Sequence, residues 1–168
     1  MTRTPAKSVL RVPVIDFVVQ APQWATQRGA KPTVRRAILE GAVATSTTAG
    51  EIAIVLTDDA AIQSLNRNWR SSDKPTNVLS FPVHRSARGV QHHLGDIIIA
   101  YQTTAREAEA ERKPFRHHLA HLAVHGFLHL IGYDHEADDE AAVMESLEVS
   151  ILARMQVPDP YVGRDHSG

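Results

Sequence analysis

Apolar and polar positions along the chain switch between two periods. Residues 10–19 (LRVPVIDFVV) are β-branched and partly alternating, which predicts a first strand. Pro13, which has no N–H to give to a neighbour, suits an edge position. Residues 32–45 change to helical spacing, with Pro32 in the first turn and Ile38, Leu39 and Ala42 on one face. Residues 50–56 (GEIAIVL) read as a second strand. Thr57 and Asp58 then offer an N-cap, and residues 58–69 carry a helical stripe of Ile62, Leu65 and Trp69. Residues 76–83 (TNVLSFPV) and 94–101 (LGDIIIAY) read as third and fourth strands. Between them, residues 84–93 are polar, glycine-containing and aperiodic, which predicts a mobile loop. From residue 102 the period is helical. One helix runs to about 113, a second from about 114 to 131, and a third from 137 to about 155 with Met144, Leu147, Ile151 and Met155 on its face. Pro158, Asp159 and Pro160 end the pattern.

This order predicts an α+β fold, one mixed sheet of about four strands covered by about five helices. The 168 residues are expected to form a single domain over 1–158, followed by a loose tail at 159–168. Hydrophobic content of 43% is sufficient for a core. There is no cysteine, so disulfides and thiolate metal sites are excluded, and a transition-metal site must use His, Asp or Glu. Residues 1–11 are basic but lack an apolar core, so no signal peptide is expected. The apolar runs are too short to span a bilayer, which makes the cytoplasm the expected compartment and leaves no membrane partner. The net charge of −1 is unevenly placed: residues 1–91 carry 12 of the 18 basic residues and only 6 of the 19 acidic ones. A basic first half suits a phosphate-tracking surface, although solvated helix faces explain the same charges.

Eight of the ten histidines lie between His92 and His135. Residues 125–135 read HGFLHLIGYDH, an H-x3-H-x5-H pattern. On a helix, His125 and His129 stack on one face. Gly132 can stop that helix in a left-handed turn, and the returning chain brings His135 to the same point. Three neutral imidazoles form the protein half of an open tetrahedral zinc site, whose fourth position is left to a water with its pKa lowered to about 7. The surrounding Ala123, Val124, Leu128, Leu130 and Ile131 make unbound imidazoles costly here. His117 and His121 extend the same i, i+4 row as ligands, supporting groups, phosphate contacts or a solvated face. Asp134 can fix the tautomer of a ligand imidazole or cap the next helix. A protease of the H-E-x-x-H type has glutamate after its first histidine, whereas this chain has Gly126.

A second constellation spans residues 69–82 (WRSSDKPTNVLSFP). Arg70 and Lys74 are expected in a loop between a helix and a strand, where substrate contacts concentrate. An arginine beside the metal can stabilise a phosphorane-like transition state through bidentate bonds; an exposed cationic turn is the plainer reading. Gly95-Asp96 says only that the backbone turns there.

The 125–135 segment resembles the H-G-x-L-H-L-x-G-Y-D-H signature of the YbeY family of bacterial metal-dependent endoribonucleases and rRNA maturation factors. Residues 74–82 (KPTNVLSFP) are similar to the family's K-P-T-[ND]-V-L-S-F-P segment, and residues 94–97 (LGDI), 118–121 (HLAH) and 138–140 (DDE) also fit. The resemblance covers about residues 66–155. It implies that His125, His129 and His135 are ligands of one zinc ion and that Arg70 serves RNA cleavage, with His125 counted in the catalytic group. It further implies a single-strand-specific endoribonuclease acting in 3′-end maturation of 16S rRNA and in ribosome quality control, with ribosomal RNA and the small subunit as partners. Val83-His84 departs from the aromatic–acidic pair often found in the family, and the following loop, with Arg85, Arg88, His92 and His93, is unusually basic.

Hydroxide attack and attack by the RNA's own 2′-hydroxyl both remain open at this level, as do the metal's identity and the oligomeric state. Two rivals are a zinc peptidase and a non-catalytic ribosome assembly factor with a structural zinc. The first is disfavoured by Gly126, and the second requires a fourth protein ligand such as His121 or Asp134.

Overall fold

The computed structural model describes residues 11–83 and 93–163. Four strands, β1 (Val14–Val19), β2 (Glu51–Thr57), β3 (Val78–Pro82) and β4 (His93–Ala100), form one sheet in the order β1-β2-β4-β3. β1, β2 and β4 run parallel, and β3 is an antiparallel edge strand. Five α-helices join them: α1 (Ala30–Ala44), α2 (Asp59–Arg70), α3 (Tyr101–Ala110), α4 (Phe115–Leu130) and α5 (Asp138–Arg154). This is the expected α+β architecture. β1 is the other edge, as Pro13 predicts, with Pro13 just ahead of it. Leu10, expected to open this strand, and residues 84–92 of the expected loop lie outside the described residues. His93, assigned to that loop, instead opens β4.

Alternation along β4 assigns the two sheet faces. Ile97 and Ile99 enter the main core with Ile52, Ile54 and Leu56 of β2, while Ile98 and Ala100 join Ile62 and Leu79 in a smaller cluster under α2. The parallel β2 is correspondingly rich in β-branched residues. α4 is the central helix, with Leu119, Ala120, Ala123, Val124, Phe127 and Leu128 fully buried. Gly41 of α1 lets the Phe127 ring approach, since a Cβ there would lie 2.8 Å from Phe127 Cδ1. Gly126 does the same toward the sheet, where a Cβ would lie 2.9 Å from Ile97 and 3.1 Å from Ser80 Oγ.

Two features depart from the sequence pattern. A 3₁₀ turn at Pro22–Thr26, in a stretch without helical or strand period, buries Trp24, whose Nε1 donates to Thr57 O at 2.8 Å. Trp69, expected on the buried stripe of α2, is 71% exposed. Its ring meets that of the partly buried Phe81 edge-on, with centroids 6.4 Å apart. Asn66 is buried instead, and its Nδ2 donates to Lys74 O at 2.9 Å.

The N-termini of α2 and α3 cap each other. Asp59 N donates to Gln102 Oε1 at 2.9 Å, and Thr103 N donates to Asp59 Oδ1 at 3.0 Å. Each helix thereby satisfies a backbone donor that has no partner within its own turn. The described helices contain none long and apolar enough to cross a membrane.

Candidate metal centre

The site is built at the C-terminal end of α4. His125 and His129 lie one turn apart, with ring centroids 4.6 Å from each other. Ile131 is the C-cap and Gly132, at φ +105°, follows it. Gly132 N donates to His129 O at 3.1 Å and Tyr133 N to Leu128 O at 3.0 Å, the paired bonds of a Schellman ending. The chain therefore reverses, and the His135 ring arrives 5.0 Å from His129 and 5.7 Å from His125. One nitrogen from each of the three rings lies within 4.8 Å of the other two. Among the described residues these three form the one such group.

The donor set fits a divalent cation. Glu148 Oε1 lies 2.6 Å from His125 Nδ1. An ionised carboxylate only accepts, so Nδ1 carries the proton and Nε2 keeps its lone pair. That Nε2 faces His129 Nε2 at 3.1 Å. Tetrahedral zinc with nitrogen ligands spaces them by about 3.3 Å, so the pair already stands at the separation of two ligands. Burial, and then the neighbouring His125 and His135, push the His129 pKa below the ordinary imidazole value, which favours the neutral, metal-binding form.

Behind the rings stands a residue that the sequence pattern did not single out. Glu148 of α5 is fully buried. It receives His125 Nδ1–H, stands 3.2 Å from His121 Nε2 and accepts the Tyr161 hydroxyl proton. Burial alone would raise its pKa, but the hydrogen bonds from His121, His125 and Tyr161 outweigh it and bring the value down to about 2. The signal was legible: Glu148 is i+4 from Met144 and i−3 from Ile151, so an acid occupies the apolar stripe of α5. Tyr161 belongs to the stretch expected to be a loose tail. Its N donates to Asp159 Oδ1 at 2.8 Å, and its ring stands edge-on to His121 at 5.5 Å.

The remaining candidates take separate places. His121 joins Glu148 and Tyr161 and is outside the three-ring group. His117 lines another groove, with Arg36 and Arg116. Asp134 Oδ1 accepts from His135 N at 2.7 Å and lies 4.0 Å from His135 Nδ1, so it braces the turn rather than hydrogen-bonding the ring. It does not cap α5, whose N-cap is Ala137. His118 is buried, with Nε2 3.5 Å from Glu107 Oε2, and Glu107 is also held by Asn77 Nδ2 at 2.8 Å.

Arg70 is the last residue of α2 and not part of the loop, because Ser71 takes the left-handed conformation (φ 55°) one residue later. Its Nη2 donates to Ser80 O at 2.9 Å, and its guanidinium lies over the Phe81 ring at 5.7 Å. Ser80 Oγ in turn donates to Gly126 O at 2.9 Å, tying β3 to α4. A groove of about 620 Å³ is lined by Arg70, Asn77, Ser80 and all three imidazoles. Gly95, in β4 at φ +147°, marks a bulge: Glu51 pairs with His93 and Ile52 with Gly95.

Comparisons with known proteins give the family. The sequence model of the family described as Endoribonuclease YbeY matches residues 20–156. A relative from Bradyrhizobium sp. (strain BTAi1), named Endoribonuclease YbeY, is 53% identical over 161 residues, covering 92% of this chain and 95% of the relative. One of the same name from Rhodopseudomonas palustris (strain BisB18) is 54% identical, covering 91% and 95%. The solution structure of TM1509 from Thermotoga maritima shares the fold, with a TM-score of 0.54 over 92% of this chain and 99% of that one, at 20% identity. With its three-imidazole cluster at the end of a buried helix and a family match running through nearly every element around it, this chain belongs to the YbeY family.

Proposed function

We propose that this chain is a zinc-dependent endoribonuclease that cleaves single-stranded RNA in the 3′-end maturation of 16S rRNA and in ribosome quality control, with the small ribosomal subunit as its partner. The observation that carries the reading is the shared groove: a guanidinium and three converging imidazoles line one cleft in a chain about 50% identical to proteins named as endoribonucleases. His125, His129 and His135 would hold one zinc ion, which supplies Lewis-acid polarisation of a phosphate oxygen and an activated attacking group. Glu148 keeps the His125 proton on Nδ1, which leaves the Nε2 lone pair for the ion that the three imidazoles would hold. Arg70 commits one of its five donors to Ser80 O. Two of the others suffice for a bidentate contact to the scissile phosphate, where they stabilise the charge that builds up during displacement.

The peptidase alternative loses support at Gly126. A glutamate there would meet Ile97, Ser80 and Val78 of the sheet, so this position has no room for a general base. Among the described residues no fourth side chain joins the three-ring group, which favours a catalytic over a structural metal.

The test is cleavage of 16S rRNA fragments by purified protein with and without chelator, and by His125→Ala and Arg70→Ala. Loss of cleavage in all three supports the reading, and undiminished cleavage overturns it. Product ends separate the two chemistries: a 2′,3′-cyclic phosphate with a 5′-hydroxyl reports attack by the 2′-hydroxyl, and a 3′-hydroxyl with a 5′-phosphate reports attack by water.

A further inference from the structure

A buried carboxylate is expensive unless it is paired, and an aliphatic side chain at position 148 would continue the stripe of Met144, Ile151 and Leu152. The chain keeps an acid there, and the acid has three partners: His125 Nδ1, His121 Nε2 and the Tyr161 hydroxyl. Only the first belongs to the three-ring group. His125 meets Oε1, whereas the other two hold Oε2, with Tyr161 Oη also 3.2 Å from His121 Nε2. Without an acceptor at Nδ1, nothing keeps the proton of His125 off Nε2, the nitrogen that faces His129. Tyr161 is supplied by the chain beyond α5, fastened by its own bond to Asp159.

We infer that Glu148, secured by His121 and Tyr161, is the positioning residue of the metal centre, and that residues 159–161 are thereby coupled to metal occupancy. This rests on the three-histidine reading above. Coupling is reciprocal: if the segment strengthens cation binding through Glu148, the cation must stabilise the segment by the same factor.

The test uses the full chain. Zinc affinity is measured by competition with a chromophoric chelator for the wild type, Glu148→Gln and Tyr161→Phe, and hydrogen exchange is followed in the peptide spanning 157–163 with and without zinc. Glu148→Gln is expected to weaken binding about 10–100-fold. Tyr161→Phe, which removes one hydroxyl from a buried carboxylate, is expected to lower the metal-free melting temperature by a few degrees and, in addition, to weaken zinc binding about fivefold. Zinc is expected to slow exchange in the 157–163 peptide of the wild type. A purely structural role would move the metal-free melting temperature and leave affinity alone. Should Glu148→Gln fail to fold, Tyr161→Phe and the exchange measurement decide. Variant affinities within about twofold of the wild type, or exchange indifferent to zinc, overturn this inference and leave the three-histidine reading standing. A wild type that binds no zinc overturns that reading, and this inference with it.

Discussion

Arg70 and the histidines share a groove but are held by different direct contacts, the arginine by Ser80 O and Phe81 and the rings by α4, its reversing turn and Glu148. Their contributions should therefore separate. Arg70→Ala is predicted to lower single-turnover RNA cleavage by about 10²–10³-fold, the cost of removing one charge-stabilising donor group, with zinc affinity unchanged. Arg70→Lys should recover little, because an ammonium cannot make two parallel bonds to a phosphate. Equal loss of cleavage and of zinc affinity would contradict this separation. At this scale the sequence is readable where spacing alone sets geometry, as in the i, i+4 histidines and the glycine that ends their helix. For Glu148 the local period reports an acid on the apolar stripe of α5 but not its partners, which come from α4 and from beyond α5, at sequence distances of 13 to 27.

Elements place these residues through close approaches and mutual caps. At Gly126 α4 lies close against β3 and β4, and a Cβ there must displace Ile97 or Ser80. Gly126→Ala is predicted to cost about 1–2 kcal/mol in denaturant unfolding, the overpacking penalty less the helix preference of alanine. Asp59 joins α2 to α3. Burial by itself would raise its pKa, but hydrogen bonds from Thr103 and Arg106, together with the Arg106 charge, leave it below its ordinary value of 3.8. A carboxylate depressed in the folded state adds stability that is full above the unfolded pKa and is lost as pH falls through the folded one. Asp59→Asn should therefore destabilise the protein at pH 7, with the difference from wild type shrinking once the pH falls below about 3.8. A difference independent of pH in melts across that range would contradict the assignment. The elements themselves were readable, with most ends displaced by a residue or two: residues 76–83 became Val78–Pro82, and Tyr101 moved from β4 to open α3, while β1 starts only at Val14 and α3 already ends at Ala110. The 3₁₀ turn at Pro22–Thr26 was unreadable because a single buried indole, not a periodic face, holds it.

At the scale of the whole molecule, α4 is both the core of the fold and the floor of the site, so metal occupancy and global stability should be linked. Zinc at 100 times its dissociation constant adds about 2.7 kcal/mol to a native state that alone binds it. For a domain of this size, chelation should lower the melting temperature by roughly 5–10 °C. An unchanged melting temperature would mean that the cation also binds the unfolded chain or does not bind at all. The single mixed sheet of four strands followed from the alternation of strand and helix patterns, whereas its order, β1-β2-β4-β3, comes from long-range pairing that no local period encodes. The uneven charge was less informative, because the fold mixes the two halves: Arg106 and Arg154 of the second half pair with Asp59 and Glu40 of the first. The central claim is that RNA cleavage requires one cation on His125, His129 and His135. Its most direct test is a zinc titration of metal-free protein in which bound metal and rRNA cleavage are measured on the same samples. Cleavage should rise in proportion to occupancy and level off at about one ion per chain, the capacity of a single three-histidine site. Full cleavage at zero occupancy would contradict the account.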